Sequence, residues 1–195
     1  MMVLDIENLK EARITLILVF VNVMIFFLFN VAIPIEILLL FVQINRNIFE
    51  NYEIWRLFTA MFFHGDPIHL ISNMLALLLF GATIETNKNI THLQYLIIYF
   101  SSGLIGNLFS LILLPIDSIS LGASGAVFGL IGVAFIMVVT DYQPLLFLAL
   151  FYIAYFILTS FTPGINYWAH LFGLLGGLLF GYLFYRRKRK ISSVY

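Results

Sequence analysis

Apolar runs follow one another along almost the whole chain, and only short polar stretches separate them. Most of these runs contain about 20 residues, the length that an α-helix needs to cross the hydrocarbon core of a bilayer. Hydrophobic residues make up 62% of the sequence and charged residues only 10%, proportions that soluble domains do not have. We therefore predict an integral membrane protein whose solvent is the lipid bilayer.

The breaks between the runs predict an all-α fold with six transmembrane helices. Prolines and short polar links mark the ends of most runs. The connection 35–67 contains only apolar pieces that are too short to span, so we expect an interfacial or re-entrant element there. We treat 1–195 as one membrane domain with a core at about 14–185. The predicted spans are 14–33, 68–84, 92–114, 123–139, 145–161 and 165–185.

The distribution of cations predicts the orientation of the spans, because Lys and Arg are enriched in short cytoplasmic loops. If the N-terminus is cytoplasmic, eight of the ten cations are cytoplasmic, five of them in the tail 186–190, and only Arg46 and Arg56 are external. We therefore expect a multi-pass protein of the cell membrane with both termini in the cytoplasm and the basic tail 186–195 near anionic headgroups. No small-residue cleavage site follows the first apolar run, which favours a retained signal-anchor.

Composition also excludes several classes of partner and cofactor. The formal net charge is zero, and the basic residues are concentrated in the tail, so we expect no nucleic-acid partner. The absence of cysteine excludes a disulfide framework and a thiolate zinc site. We expect no metal and no cofactor, and the sequence leaves the oligomeric state open.

Four polar side chains are expected at one depth in the outer half of the membrane: His69 and Asn73 on the second span, Ser124 on the fourth and His170 on the sixth. Polar groups in hydrocarbon are costly unless they face a partner or a wet cavity, which makes them functional candidates. A lone membrane serine often bonds to its own helix backbone instead. His64 and Asp66, just before the second span, are expected to order that loop.

Glycines indicate where the helices that carry these groups can approach one another. They recur at helical spacing beside Ser124 and below His170, so the fourth and sixth spans each present a face without side chains. Such faces can bring a serine and a histidine within hydrogen-bonding distance, although packing alone is the simpler interpretation of each face. The glycines are Gly125, Gly129 and Gly132 on the fourth span and Gly173, Gly177 and Gly181 on the sixth.

Four motifs, in this order and with this topology, resemble those of the rhomboid family of intramembrane serine proteases. The resemblance covers roughly residues 55–177. The motifs are Trp55-Arg56, His69-x-x-x-Asn73, Gly122-x-Ser124-Gly125 and Ala169-His170-x-x-Gly173-x-x-x-Gly177.

The resemblance implies an enzyme that cleaves peptide bonds in or near transmembrane segments of membrane-protein substrates. It implies Ser124 as nucleophile, His170 as general base, and His69 and Asn73 as oxyanion-hole donors. Gly122 and Phe128 are supporting residues, and Phe128 stands where family members often have tyrosine. Ring packing against the histidine is retained there, whereas a phenolic hydroxyl is lost.

Two other functions remain open at this point. A catalytically inactive relative would bind membrane clients without cleaving them, which the intact Ser124 and His170 disfavour. A transporter also places polar residues on membrane helices, but the sequence shows no paired half-repeat.

The fifth span differs from the fourth and sixth because it has no glycine and no small-residue ridge. Bulky side chains keep helix axes apart, so we predict that this span packs less closely than its neighbours. We interpret it as the mobile side through which a substrate helix enters.

Overall fold

Helices, most of them apolar, form the larger part of the computed structural model, which describes residues 6–162 and 164–186, and they confirm the all-α membrane fold. Turns of π-helix extend α2 over Leu28–Ala32, join α6 to α7 over Leu77–Gly81 and extend α11 over Gly181–Arg186. The helices are α1 Ile6–Glu11, α2 Arg13–Phe27, α3 Ile35–Leu38, α4 Asn45–Asn51, α5 Arg56–Thr59, α6 Pro67–Ala76, α7 Ala82–Glu85, α8 His92–Leu113, α9 Ser124–Asp141, α10 Leu146–Thr159 and α11 Tyr167–Phe180.

Five helical stretches within the described residues are long and apolar enough to cross a membrane, and they match predicted spans one, two, three, four and six. The fifth predicted span is a shorter apolar helix, Gln143–Thr159. Its 17 residues cover roughly 25 Å, against a hydrocarbon core of about 30 Å. It ends at Thr159, two residues before the predicted end at 161, and the Ser160 and Thr162 hydroxyls there bond to the carbonyls of Phe156 and Thr159. The five long stretches are Arg13–Asn30, Pro67–Glu85, His92–Leu113, Ser124–Asp141 and Tyr167–Arg186.

Helix α9 lies at the centre of the bundle, with α8 and α11 packed against it. The glycine faces of α9 and α11 meet, as predicted: a methyl group at Gly173 would overlap the carbonyl of Gly125, and one at Gly177 would overlap that of Gly129. Only glycine permits this separation of the two backbones, so the glycines fix where the residues of α9 and α11 face each other.

A small antiparallel pairing, absent from the all-α prediction, joins the connection 35–67 to the loop before α9. Strand β1 (Gln43–Ile44) pairs with β2 (Ile119–Ser120), with Gln43 opposite Ser120. Arg46 in α4 also bonds to Asp117 at 2.7 Å. The loops after the first and third spans therefore lie at the same end of the bundle, as alternating spans require.

Trp55 and Arg56 are an aromatic and a basic residue of the kind that anchors a chain at the membrane interface, and the sequence predicts that role for both. Trp55 is 51% exposed, consistent with an interfacial position, but Arg56 is 1% exposed and not an interfacial anchor. Its guanidinium pairs with Glu53 and donates to the carbonyl of Val42 at 2.8 Å. A buried charged group requires such partners, and here these partners are residues of the connection 35–67 itself.

Glu85 joins the first two spans at the opposite end of the bundle. Its buried carboxylate accepts hydrogen bonds from the backbone N–H groups of Ile14, at 2.9 Å, and Thr15, at 2.7 Å. These are first-turn donors of α2, and the helix dipole favours an anion there. Residues 187–195, which include most of the predicted basic tail, lie outside the described residues.

Candidate active site

Ser124 begins α9, and the short segment before it is held by distant parts of the chain. The Gly122 N–H donates to the carbonyl of Ala60 at 2.9 Å, and Ser120 is paired with Gln43 in the small sheet. Gly122 has a φ of +128°, in the region that L-residues with side chains rarely adopt. A methyl group there would also lie 2.8 Å from His69 Nε2, so two constraints require glycine at this position.

His69 faces the same small space as the serine. A methyl group at Gly122 would lie 2.8 Å from His69 Nε2 and 3.8 Å from Ser124 Oγ. The His69 backbone N–H is bound at 2.8 Å by the carboxylate of Asp66, the N-cap of α6. This cap fixes the residue at which α6 begins, and hence the position of His69 along the helix axis beside Ser124. The predicted local structural role of Asp66 is thereby confirmed.

Asn73 lies one turn further along α6 and is buried, with 6% of its surface exposed. Its Nδ2 donates to the carbonyl of His69 at 3.0 Å. An amide nitrogen carries two protons, so this bond uses one donor and leaves a second N–H on the same group.

His170 lies in the first turn of α11, with its ring stacked on Phe128 of α9. The ring centroids are 4.2 Å apart and the planes differ by 12°. The predicted ring packing of Phe128 is thus confirmed. Asn166, the N-cap of α11, accepts a hydrogen bond from the Ala169 N–H at 3.0 Å and donates to Ser120 Oγ at 2.9 Å. One side chain therefore links the start of α11 to the strand before Ser124.

The structure thus brings Ser124 and His170 to adjoining first turns of α9 and α11. Between these two residues, both of which the structure describes, no hydrogen bond is formed. Their relation is fixed by the glycine contact between the helices and by the Phe128 ring. Hydrogen bonds of a catalytic pair are often long before substrate binds and shorten only in the reacting complex.

Ser160, which belongs to none of the sequence motifs, contacts His170 directly. It caps the C-terminal end of α10, is 4% exposed, and has its Oγ 2.7 Å from His170 Nδ1. A serine at the end of an apolar helix usually bonds to a preceding carbonyl, and Ser160 also does so. Nothing in the sequence distinguishes it from other helix-end serines.

His64, which was expected only to order its loop, is buried next to His69 and Ala123. It is fully buried, its ring is 5.0 Å from that of His69, and its Nε2 accepts from the Ala123 N–H at 3.5 Å. Burial, together with the neighbouring His69, lowers the pKa of His64 to about 3. His64 is therefore neutral at physiological pH and can accept a hydrogen bond beside the nucleophile candidate.

The described residues contain no group of three or more His, Asp or Glu side chains placed to hold a metal ion. The site instead offers a hydroxyl, imidazole rings, an amide and backbone N–H groups. These are the components of hydroxyl-nucleophile chemistry with hydrogen-bond stabilisation of an anion.

The fold and this site define a class: a polytopic helical membrane protein whose polar groups meet at one end of the bundle. A model of the Rhomboid domain matches residues 51–187, more than two thirds of the chain. The chain belongs to the rhomboid family.

Named relatives agree with this assignment. A Bacillus subtilis (strain 168) protein, YdcA, described as a candidate rhomboid protease, is 35% identical over 148 residues, which cover 72% of each chain. RHOMBOID-like protein 1 of Arabidopsis thaliana is 32% identical over 69% of this chain, and the mitochondrial RHOMBOID-like protein 6 is 33% identical over 71%. The matches span 36% and 46% of the lengths of these two plant proteins.

Proposed function

We propose that the protein is a serine endopeptidase that cleaves peptide bonds in or near transmembrane segments of other membrane proteins. The observation that carries the proposal is the stack of His170 on Phe128, which holds the imidazole beside the first turn of the helix that begins at Ser124. Membership of the rhomboid family and the resemblance to a candidate rhomboid protease support the same activity.

In the proposed reaction, Ser124 Oγ attacks the carbonyl carbon of the scissile bond while His170 takes the hydroxyl proton. A serine hydroxyl is a weak nucleophile, and imidazole has the pKa that suits both accepting and returning a proton. Collapse of the tetrahedral intermediate breaks the C–N bond, and His170 gives its proton to the leaving amine. Water then cleaves the acyl ester, with His170 acting again as base.

The negative oxygen of the intermediate requires donors that are in place before the reaction. His69 Nε2 lies beside Gly122 in the space that Ser124 faces, and Asn73 has one amide proton left after its bond to His69. The Ser124 backbone N–H, at the start of α9, is a third donor. We assign His69 and Asn73 to this role, with Gly122 giving them access to the serine.

An apolar cavity of about 340 Å³ lies between the second, fourth and fifth spans and supports entry of substrate between these helices, although none of the four proposed catalytic and oxyanion residues lines it. Leu79 and Phe80 line it from the second span, and Tyr152 and Phe156 from the fifth. We propose that a substrate helix reaches the site on this side, where the bundle is least closely packed.

A fluorophosphonate probe and three variants test the activity. Such a probe reacts covalently with an activated serine, so the unchanged protein should be labelled and Ser124→Ala should not. Ser124→Ala and His170→Ala should each remove turnover by a factor on the order of 10⁴ to 10⁶, and the double variant should be little worse, because residues that act as a unit are not additive.

Multiplicative losses would mean that the two residues act independently. An unlabelled but folded protein in lipid would favour a client-binding relative or a transporter instead.

We further propose that the protein resides in the cell membrane with both termini in the cytoplasm, on the basis of the eight-to-two distribution of cations. The chain has no cysteine, so single cysteines at Asn47 and Ser193 can report sidedness. An impermeant thiol reagent applied to intact cells should label the first and not the second. Equal labelling would contradict this orientation.

A further inference from the structure

The two ring nitrogens of His170 have different environments. Nδ1 lies 2.7 Å from Ser160 Oγ, and the ring face is covered by Phe128. Ser160 is 4% exposed, so little water competes for its hydroxyl. The orientation of the imidazole is therefore determined by one hydrogen bond and one aromatic stack.

The hydrogen bonds of Ser160 determine which nitrogen carries the proton. Ser160 Oγ is also 2.7 Å from the carbonyl oxygen of Phe156. A carbonyl only accepts, and a hydroxyl has a single proton, so Ser160 donates to Phe156 and must accept from His170 Nδ1–H. A neutral imidazole has one N–H, which leaves the lone pair on Nε2.

We propose that Ser160 is a positioning residue that holds His170 in the Nδ1–H tautomer, with Nε2 as the basic nitrogen. This proposal rests on the proposed function, in which His170 accepts the proton of Ser124. Ser160 then takes the orienting role that a carboxylate has in a Ser-His-Asp site. Unlike a carboxylate it adds no negative charge, so its effect on turnover should be smaller.

The position of Ser160 connects the fifth span to the chemistry. Ser160 is the C-cap of α10, the helix assigned above to the side of substrate entry. Displacement of that end of α10 from α11 breaks the contact with Nδ1 and removes the preference for one tautomer. The base is therefore oriented only while this end of the fifth span is in place.

Ser160→Ala and its neighbour Thr159→Ala form a matched pair of variants. Thr159 Oγ1 also donates to the Phe156 carbonyl, at 3.0 Å, but it is exposed and forms no hydrogen bond with His170. Ser160→Ala should lower kcat about 10- to 100-fold with KM unchanged, the range expected for a hydrogen bond to a group that becomes charged. Thr159→Ala should leave both constants unchanged, and Ser160→Thr, which keeps the hydroxyl, should restore most of kcat.

The tautomer itself is measurable by ¹⁵N NMR of histidine-labelled protein, which has only four histidines to assign. In a Ser124→Ala background His170 should be protonated at Nδ1, and adding Ser160→Ala should shift the proton toward Nε2. An Nε2–H tautomer with Ser160 present, or kcat equal in Ser160→Ala and Thr159→Ala, would overturn the positioning role. If Ser124→Ala keeps its turnover while the tautomer still depends on Ser160, the proposed function is wrong, but the control of the His170 tautomer by Ser160 is still supported.

Discussion

The fourth and fifth spans are both strongly apolar, yet they occupy opposite environments. Helix α9 contributes twelve buried residues, whereas no residue of α10 is buried. Hydrophobicity does not separate the two, because lipid tails are as apolar as leucine and give apolar side chains no reason to prefer a helix neighbour. The difference lies in the small residues: α9 has three glycines that admit its neighbours, and α10 has none.

The two spans also differ in their proposed roles. The buried span, α9, carries Ser124 and Phe128, whereas the peripheral span, α10, lines the cavity proposed for substrate entry. The prediction that the fifth span packs less closely is confirmed by its exposure. Variants of the closely packed spans should therefore change turnover or stability, and variants of the peripheral span, apart from Ser160 at its C-terminal end, should change access.

The largest of the following effects is expected at Asn73, on the closely packed side. A preorganised oxyanion donor contributes about 10² to 10³ in turnover. Asn73→Ala should lower kcat by nearly that factor with KM little changed, because the donor acts mainly on the charge of the transition state. The melting temperature of the same sample is the control. A destabilised but fully active variant would remove Asn73 from the site, and the same experiment on His69→Ala tests its partner.

A loss of stability of intermediate size should distinguish α11, which packs against the buried helix α9, from the peripheral helix α10. Gly177→Val forces a side chain against the Gly129 carbonyl, and overpacking of this kind costs roughly 1–3 kcal/mol. Ala154→Val on α10 introduces the same valine side chain at an exposed position and should cost less than about 0.5 kcal/mol. Denaturant unfolding in one detergent compares them, and equal losses would contradict the packing difference.

The smallest effect is expected at Phe156, where trimming should increase activity. Phe156 lines the cavity, and Phe156→Ala should raise kcat/KM for a transmembrane substrate a few-fold if movement of this span limits entry. Phe151 is 62% exposed and does not line the cavity, so Phe151→Ala is the control and should change little.

A cross-link between cysteines at Leu79 and Tyr152, on opposite sides of the cavity, should block cleavage of the same substrate. Undiminished cleavage in the cross-linked protein would exclude this route of entry.

Much of the fold was predictable because the bilayer restricts the choice of structure. A chain in hydrocarbon must satisfy its backbone groups internally, so apolar runs of about 20 residues become helices with boundaries close to those predicted. The glycine spacing also predicted which faces of α9 and α11 meet. Pairing of β1 with β2 was not predictable, since two-residue strands have no detectable period.

The candidate site was predictable at Ser124, His170, His69 and Asn73, because each is a polar residue where apolar ones are expected. Ser160 and His64 could not be found in the same way. Both lie at the ends of loops, where polar residues are ordinary, and their contacts depend on how the chain turns between helices. Similarly, Arg56 has the sequence context of an interfacial anchor. Only its hydrogen bonds to buried backbone carbonyls show that it is part of the protein interior.

The segment before Ser124 is held by Gln43, Ala60 and Asn166, which are far apart in the sequence. During synthesis the contact with Asn166 can form only after the beginning of the sixth span has left the ribosome, and the proposed base, His170, arrives with the same helix. A chain with five inserted spans therefore has the proposed nucleophile without its base and without its last tether. It follows that the order of translation keeps the proposed protease inactive toward neighbouring membrane proteins until its own assembly is almost finished.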